Sequence, residues 1–270
     1  MSLLLCRQEH VTHPFYVEEL GIHLYSSQEL SYVIYNNPLM AMDGFVDEHL
    51  IRFIRDELDM EFLAARLEKW IGSGENTDEL LFIILQECCY YTAAEINQFH
   101  QKTAAFRKLH QAEYAKQRAD FLFEKRQYGK AVALYEKILE FPRDRFVDDF
   151  FFGKIWNNLA ASYARVFQFE KASAAFDRAY ALTKDLSVLQ KIYYLSAMDC
   201  GIELKERYQS LIGEEIKKQW DDRMQETRDQ AKTSPMVLKL EELFQKDPIK
   251  RMAGAGEIIH KWKQDYRSMV

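Results

Sequence analysis

Residues 153–184 read GKIWNNLAASYARVFQFEKASAAFDRAYALTK, and the spacing within them decides the fold. Trp156, Leu159, Ala160 and Tyr163 fall at i, i+3, i+4 and i+7, which is one stripe of an α-helix. After the short break Val166-Phe167-Gln168, the residues Phe169, Ala172, Phe176 and Ala179 form a second stripe. Bulky residues alternate with alanines, so large side chains on one helix can enter the gaps over small ones on its partner. An antiparallel helix pair is expected.

The whole chain has the composition of a helical protein. Its 270 residues are long enough for one large or two modest domains. Hydrophobic residues make up 48% and aromatics 14%, which argues against disorder. Ten glycines and five prolines are few for a sandwich or barrel, so the class is all-α. Net charge is −6, unevenly placed: 13 acidic against 5 basic residues through Glu75, then 29 against 31. No basic stripe is present, so a nucleic-acid partner is not expected.

Cys6, Cys88, Cys89 and Cys200 form no CxxC pair. Cys88 and Cys89 lie in an apolar run and are read as buried free thiols in a reducing cytoplasm. Leu3-Leu4-Leu5-Cys6 looks superficially like a lipoprotein signal, but three leucines are too few for an h-region. Leu80 to Leu85, the longest apolar run, is far below spanning length, so no membrane partner is expected.

From the N-terminus, Phe15-Tyr16-Val17 and Ile22-His23-Leu24-Tyr25 are β-favouring runs around 18–21 that permit a small hairpin. Cys6, His10 and His13 supply three candidate metal ligands without a clear fourth, so no metal is assigned. Ser26 or Ser27 begins the first clear helix and Asn36-Asn37-Pro38 stops it. Asp47 caps the next, and a run over 60–71 ends at Gly72-Ser73-Gly74, the best linker of the first half. Thr77 is read as the cap of the run through Cys88, and from Thr92 the pattern continues with little interruption to Lys125. His100 and His110 have no nearby acid at ligand spacing and read as surface or core-edge histidines rather than catalytic ones.

The order Trp156, Leu159, Ala160, Tyr163, Ala172, Phe176, Ala179 resembles a tetratricopeptide repeat position by position. A weaker copy precedes it in Ala119, Leu122, Tyr128, Ala131, Tyr135 and Ile138, followed by Pro142. There Ala115 and Arg118 stand where the family has tryptophan and leucine. The resemblance implies helix pairs at 112–124 with 128–140 and at 155–165 with 169–182.

Ala131 and Ala172 are 41 residues apart, against a standard period of about 34. The extra seven fall in 141–152, FPRDRFVDDFFF, where Asp148 or Asp149 can cap a helix extended upstream. Phe150, Phe151 and Phe152 are read as packing on the preceding helix, with an exposed partner-binding patch as the alternative. A third repeat begins at Leu186. Its second helix lacks the signature, and Tyr208, Ile212, Ile216, Trp220 and Met224 recur every four residues as one long amphipathic capping helix. The polar stretch 225–234 reads as a break. Two last helices over 236–244 and 257–266 follow, separated at Asp247-Pro248 and Gly254-Ala255-Gly256. No preceding strand and no Lys-Ser/Thr make those glycines a phosphate loop.

The domain reading is therefore 1–75 acidic and mostly helical, 76–111 connecting helices, 112–184 repeat pairs, and 185–270 a degenerate repeat with capping helices. The expected architecture is a right-handed helical-hairpin solenoid. By family geometry the first helix of each pair lines the concave side. The candidate partner-binding residues are then Lys116, Asp120 and Phe123, Lys154, Asn157, Asn158 and Arg165, and Lys191. Lys116 and Asn158 match a clamp that some members use for a peptide's terminal carboxylate. Asp120, Val188 and Ile192 break that match, so a carboxylate guest is rejected. The resemblance implies a non-enzymatic cytoplasmic scaffold that binds a peptide or helix of another protein. The alternative is a peptide- or ligand-responsive regulator with the N-terminal helices as effector. No nucleophile, base and orienting group converge in sequence, so neither an enzyme nor a cofactor is expected.

Overall fold

A computed structural model describes residues 11–199 and 201–270. Among them the chain is α-helical apart from one two-stranded sheet. It separates into two compact units, one ending at Lys125 and the other beginning at Arg126. Cys6 and His10 of the candidate metal set lie outside the described residues.

In the first unit, β1 (Phe15–Val17) and β2 (Ile22–Leu24) pair antiparallel, with Tyr16 opposite His23. Val17 and Leu24 are buried while the facing pair Tyr16 and His23 is exposed, the period-two alternation of a half-covered hairpin; Ile22, next to the turn, is exposed as well. Gly21, at φ 65°, closes the turn with its N–H on the Val17 carbonyl.

Seven helices follow. The first is α1 (Ser27–Asn36), whose N-cap Ser26 accepts from Glu29 N, then α2 (Pro38–Ala41) and α3 (Glu48–Asp56), capped by Asp47. After them come α4 (Glu61–Ser73), ended by left-handed Gly74, and α5 (Glu79–Glu87). The unit closes with α6 (Ala93–Arg107), which opens on a Thr92/Glu95 capping box, and α7 (Gln111–Glu124).

All six residues from Leu80 to Leu85 are buried, so α5 is surrounded by its neighbours on every side. Three sequence readings need correction. Asp78, not Thr77, precedes α5, because its carboxylate is held by Arg107. The stretch from Thr92 to Lys125 is two helices, broken at Lys108 to His110. Cys88 is half-buried and Cys89 exposed at φ 52°, since α5 ends at Glu87 and the chain turns outward.

The second unit holds α8 (Tyr128–Ile138), α9 (Asp149–Arg165), α10 (Phe169–Thr183) and α11 (Leu186–Met198). It continues with α12 (Glu206–Gln209), α13 (Glu214–Lys232), α14 (Pro235–Phe244) and α15 (Pro248–Met269). Helix α9 packs against both α8 and α10, and α10 against α11. Leu159, Ala160, Tyr163, Ala172, Phe176 and Ala179 are buried, as their spacing requires. Trp156 is half-buried beneath the Arg178 guanidinium, 4.5 Å from its ring centre. At Gly153 the helices come closest: a Cβ there would lie 2.4 Å from Thr183 Cγ2.

Asp148 caps α9 through Phe151 N, which confirms the upstream extension. The three phenylalanines divide by helical phase: Phe152 is buried, Phe151 half-buried and Phe150 56% exposed.

The turns before α8 and α10 are alike. Arg126 and Phe167, 41 positions apart, both have φ near +60° (62° and 61°). The following Gln127 and Gln168 have φ/ψ of −82°/61° and −88°/65°.

Downstream, the expected long helix through Tyr208 and Trp220 is two helices parted at Gly213, which sits in extended backbone. Tyr208, Ile212 and Trp220 are nevertheless buried, because a period of four in burial does not require unbroken hydrogen bonding. The polar stretch after Gln225 stays helical to Lys232. Gly254, Ala255 and Gly256 do not break α15; a Cβ at Gly254 would meet Leu243 Cδ1 at 2.5 Å, so the glycine admits α14. Near the end of α15, the Ser268 carbonyl accepts from Gln127 Nε2 at 3.1 Å. No helix among the described residues is long and apolar enough to cross a membrane.

Candidate functional site

The eight candidate residues divide between the units. Lys116, Asp120 and Phe123 lie on α7 in the first, where Lys116 Nζ donates to Asp120 at 2.6 Å across one helical turn. The other five lie on α9 and α11 in the second.

Helix α9 turns Phe152, Ile155, Leu159 and Tyr163 into the unit and leaves Lys154, Asn157, Asn158, Ala161 and Arg165 along its other side. Lys191 Nζ donates to Asn157 Oδ1 at 2.8 Å, and Asn157 Nδ2 to Asn158 Oδ1 at 3.0 Å. A polar chain therefore ties α11 to α9. Burial lowers the Lys191 pKa, with Asp185 opposing the shift. Lys154 stands apart near the start of α9, its ammonium 4.3 Å above the Phe150 ring. Arg165 is exposed and carries no ion pair among the described residues.

Beside Arg165 and Lys191 opens an apolar hollow of about 410 Å³, walled by Ala161, Phe167, Phe176, Tyr194, Leu195 and Met198. A second hollow of about 290 Å³ adjoins it. Tyr194 and Met198 belong to both, and α13 adds Arg223, Met224 and Arg228. Helix α13 is held there by Trp220, whose ring centre lies 5.5 Å from that of Tyr193 and 6.4 Å from that of Tyr194. Tyr193 donates to Asp221 at 2.5 Å and Arg228 to the Ala197 carbonyl at 3.1 Å. Burial, then the hydrogen bond to Asp221, pushes the Tyr193 hydroxyl up to about 12, so it remains a donor.

Tyr194 and Met198 sit three and seven residues after Lys191, on the same helical stripe, and that spacing was open to sequence reading. The α13 residues were not, because their place depends on Trp220 docking. Met198 is 68% exposed and Phe167 71% exposed, large apolar side chains left at the mouth of a groove.

The first unit has two polar clusters. Glu57 accepts from the backbone of Thr12 and His13 at 2.7 and 3.1 Å, and its other oxygen meets His13 Nδ1 at 2.7 Å. The His13 bonds, backbone first, hold the Glu57 carboxyl down to about 2. His13 is thus engaged with a carboxylate, and among the described residues no three metal-ligating side chains converge.

The second cluster centres on Arg107, which grips both oxygens of Asp78 at 2.6 and 2.7 Å and reaches Asp43 at 2.6 Å. Tyr114 and Arg118 of α7 also donate to Asp43, at 2.6 and 3.2 Å. Partial burial alone would raise the Asp43 pKa. The bonds from Tyr114 and Arg107 and the two guanidinium charges outweigh that and lower it. Both carboxylates in this cluster accept from arginine, and their bonds tie the loop at Asp43 and the head of α5 to α6 and α7, which makes it a fastening between loops and helices.

Comparison with protein-family models, with curated proteins and with solved structures returns no match.

Proposed function

We propose that the chain is a tetratricopeptide-like scaffold that takes a segment of another protein in the groove of α9, α11 and α13. What carries the reading is the pair of adjoining apolar hollows that share Tyr194 and Met198. Apolar walls with a few placed polar groups suit a peptide or a helix laid along the groove. The like-built turns at Arg126 and Phe167, each followed by a helix burying Ala131 or Ala172, support the repeat assignment. A cytoplasmic, non-enzymatic role is part of the same reading and rests on the resemblance alone, because fold does not by itself fix function.

A photocrosslinking residue placed at Met198 should give protein adducts in native cells. The same residue at Ala181, exposed on α10, should not. Equal adducts at both positions, or none at Met198, would reject the groove.

A further inference from the structure

The charges around the groove narrow what can occupy it. The residues walling the two hollows include Arg165, Lys191, Arg223 and Arg228, and no carboxylate. Three of the four are arginines, which stay charged at any physiological pH. Arg165 and Arg223 carry no ion pair among the described residues, and Arg228 spends one N–H on a neutral carbonyl. Asp199, next after Met198, turns its carboxylate to the Gly201 N–H at 2.9 Å. Arg223 also lines a separate depression, together with Asp222, Glu226 and Gln190, so the basic stretch ends there.

We propose that the occupant is an acidic amphipathic segment of another protein, whose aromatic or aliphatic anchors fill the hollows while its flanking Asp and Glu side chains meet Arg165, Lys191 and Arg228. This rests on the groove reading above and adds the chemistry of the guest. An apolar floor of Phe176, Tyr194, Leu195 and Met198 supplies burial, and the cationic rim supplies selection and rate of encounter. The chain's own exposed amphipathic helix is a poor occupant. Helix α15 carries five basic residues against two acidic ones, so its charge matches that of the rim.

The test selects displayed random peptides of about 16 residues, which span about 24 Å as a helix, against the full chain. The chosen peptides are then synthesised and measured by fluorescence anisotropy. Binders should be rich in Asp and Glu around two or more bulky apolar residues. The double change Arg165→Glu and Arg228→Glu should weaken them at least about tenfold, and added salt should weaken them too. The same charge change at Lys171 on α10 and at Lys184, just past its end, should have little effect.

Binders that Tyr194→Ala abolishes, but that lack acidic residues and ignore the arginine reversals, would overturn the acidic guest and leave the groove reading standing. Binders indifferent to both sets of changes would overturn both. A dimer seen by sedimentation and dissolved by the arginine reversals would replace the foreign segment with a second copy of this chain. Circular dichroism melts of each variant separate lost binding from lost folding.

Discussion

Arg107 shows how much one side chain can hold. It joins Asp78 at the head of α5 to Asp43 in the loop before α3, and Asp43 in turn holds Tyr114 and Arg118 on α7. Asp78 is only 5% exposed, so removing its partner strands a buried charge. Arg107→Met should cost about 2–3 kcal/mol in urea unfolding, less than a fully buried pair because the guanidinium is 38% exposed.

The pH dependence has a definite sign. The Asp43 pKa is lower folded than unfolded, so its stabilisation is complete above the usual carboxylate range and is lost as pH falls through the depressed value. Tyr114 is raised, chiefly by burial and then by Asp43, so its contribution is complete below about 10 and is lost at higher pH. Asp43→Asn keeps a residue suited to φ 62° and removes the charge. Its melting temperature should trail the parent at neutral pH and converge with it in acid. Parallel melting curves from neutral pH into acid would contradict this assignment.

None of these partners was legible in sequence. They join positions up to 75 residues apart, and Arg118 read only as a departure from the repeat pattern. Its place on Asp43 is the physical reason for that departure.

Helices and turns were legible to the extent that they rest on local spacing. The alternation of bulky residues with alanine gave α9 and α10 and their buried faces, because helical phase alone decides which side chains point inward. The breaks at Phe167, Arg126 and Lys184 were legible as gaps in that spacing, but their left-handed backbone, with no glycine to mark it, was not: all three adopt φ between 54° and 62°. Each non-glycine residue there carries a backbone cost of about 1–2 kcal/mol. Arg126→Gly and Phe167→Gly should therefore each be neutral to stabilising by up to about 1 kcal/mol in thermal unfolding, and alike if the turns are equivalent. A clear loss at one site only would show that the turns differ.

Gly153 gives a sharper case. Gly153→Ala should destabilise by about 1–2 kcal/mol through the Thr183 methyl. Adding Thr183→Ser, which deletes that methyl and retains the bond to the Ala179 carbonyl, should recover most of the loss. No recovery would place the clash elsewhere.

At the scale of the molecule, the division after Lys125 cuts through the weaker repeat that the sequence suggested, leaving α7 in one unit and α8 in the other. Tyr114 and Phe121 of α7 pack on the core of the first unit. A fragment of residues 1–125 should then unfold cooperatively in urea, whereas 1–111, stripped of α7, should unfold over a broader range or aggregate. Equal cooperativity in both would show that α7 adds little to that core.

The sequence pointed to α9 and to Lys191 as groove elements. It could not supply α13, because the break at Gly213 and the docking of Trp220 against Tyr193 are tertiary events.

That docking gives the protein an optical signal of its own. The Trp220 indole lies against Tyr194, the floor common to both hollows, so the guest proposed above, pressing on that phenol, would alter the surroundings of a natural fluorophore. With Trp70, Trp156 and Trp262 replaced by phenylalanine, the emission maximum of the remaining indole would follow groove occupancy in real time, without a dye or a label.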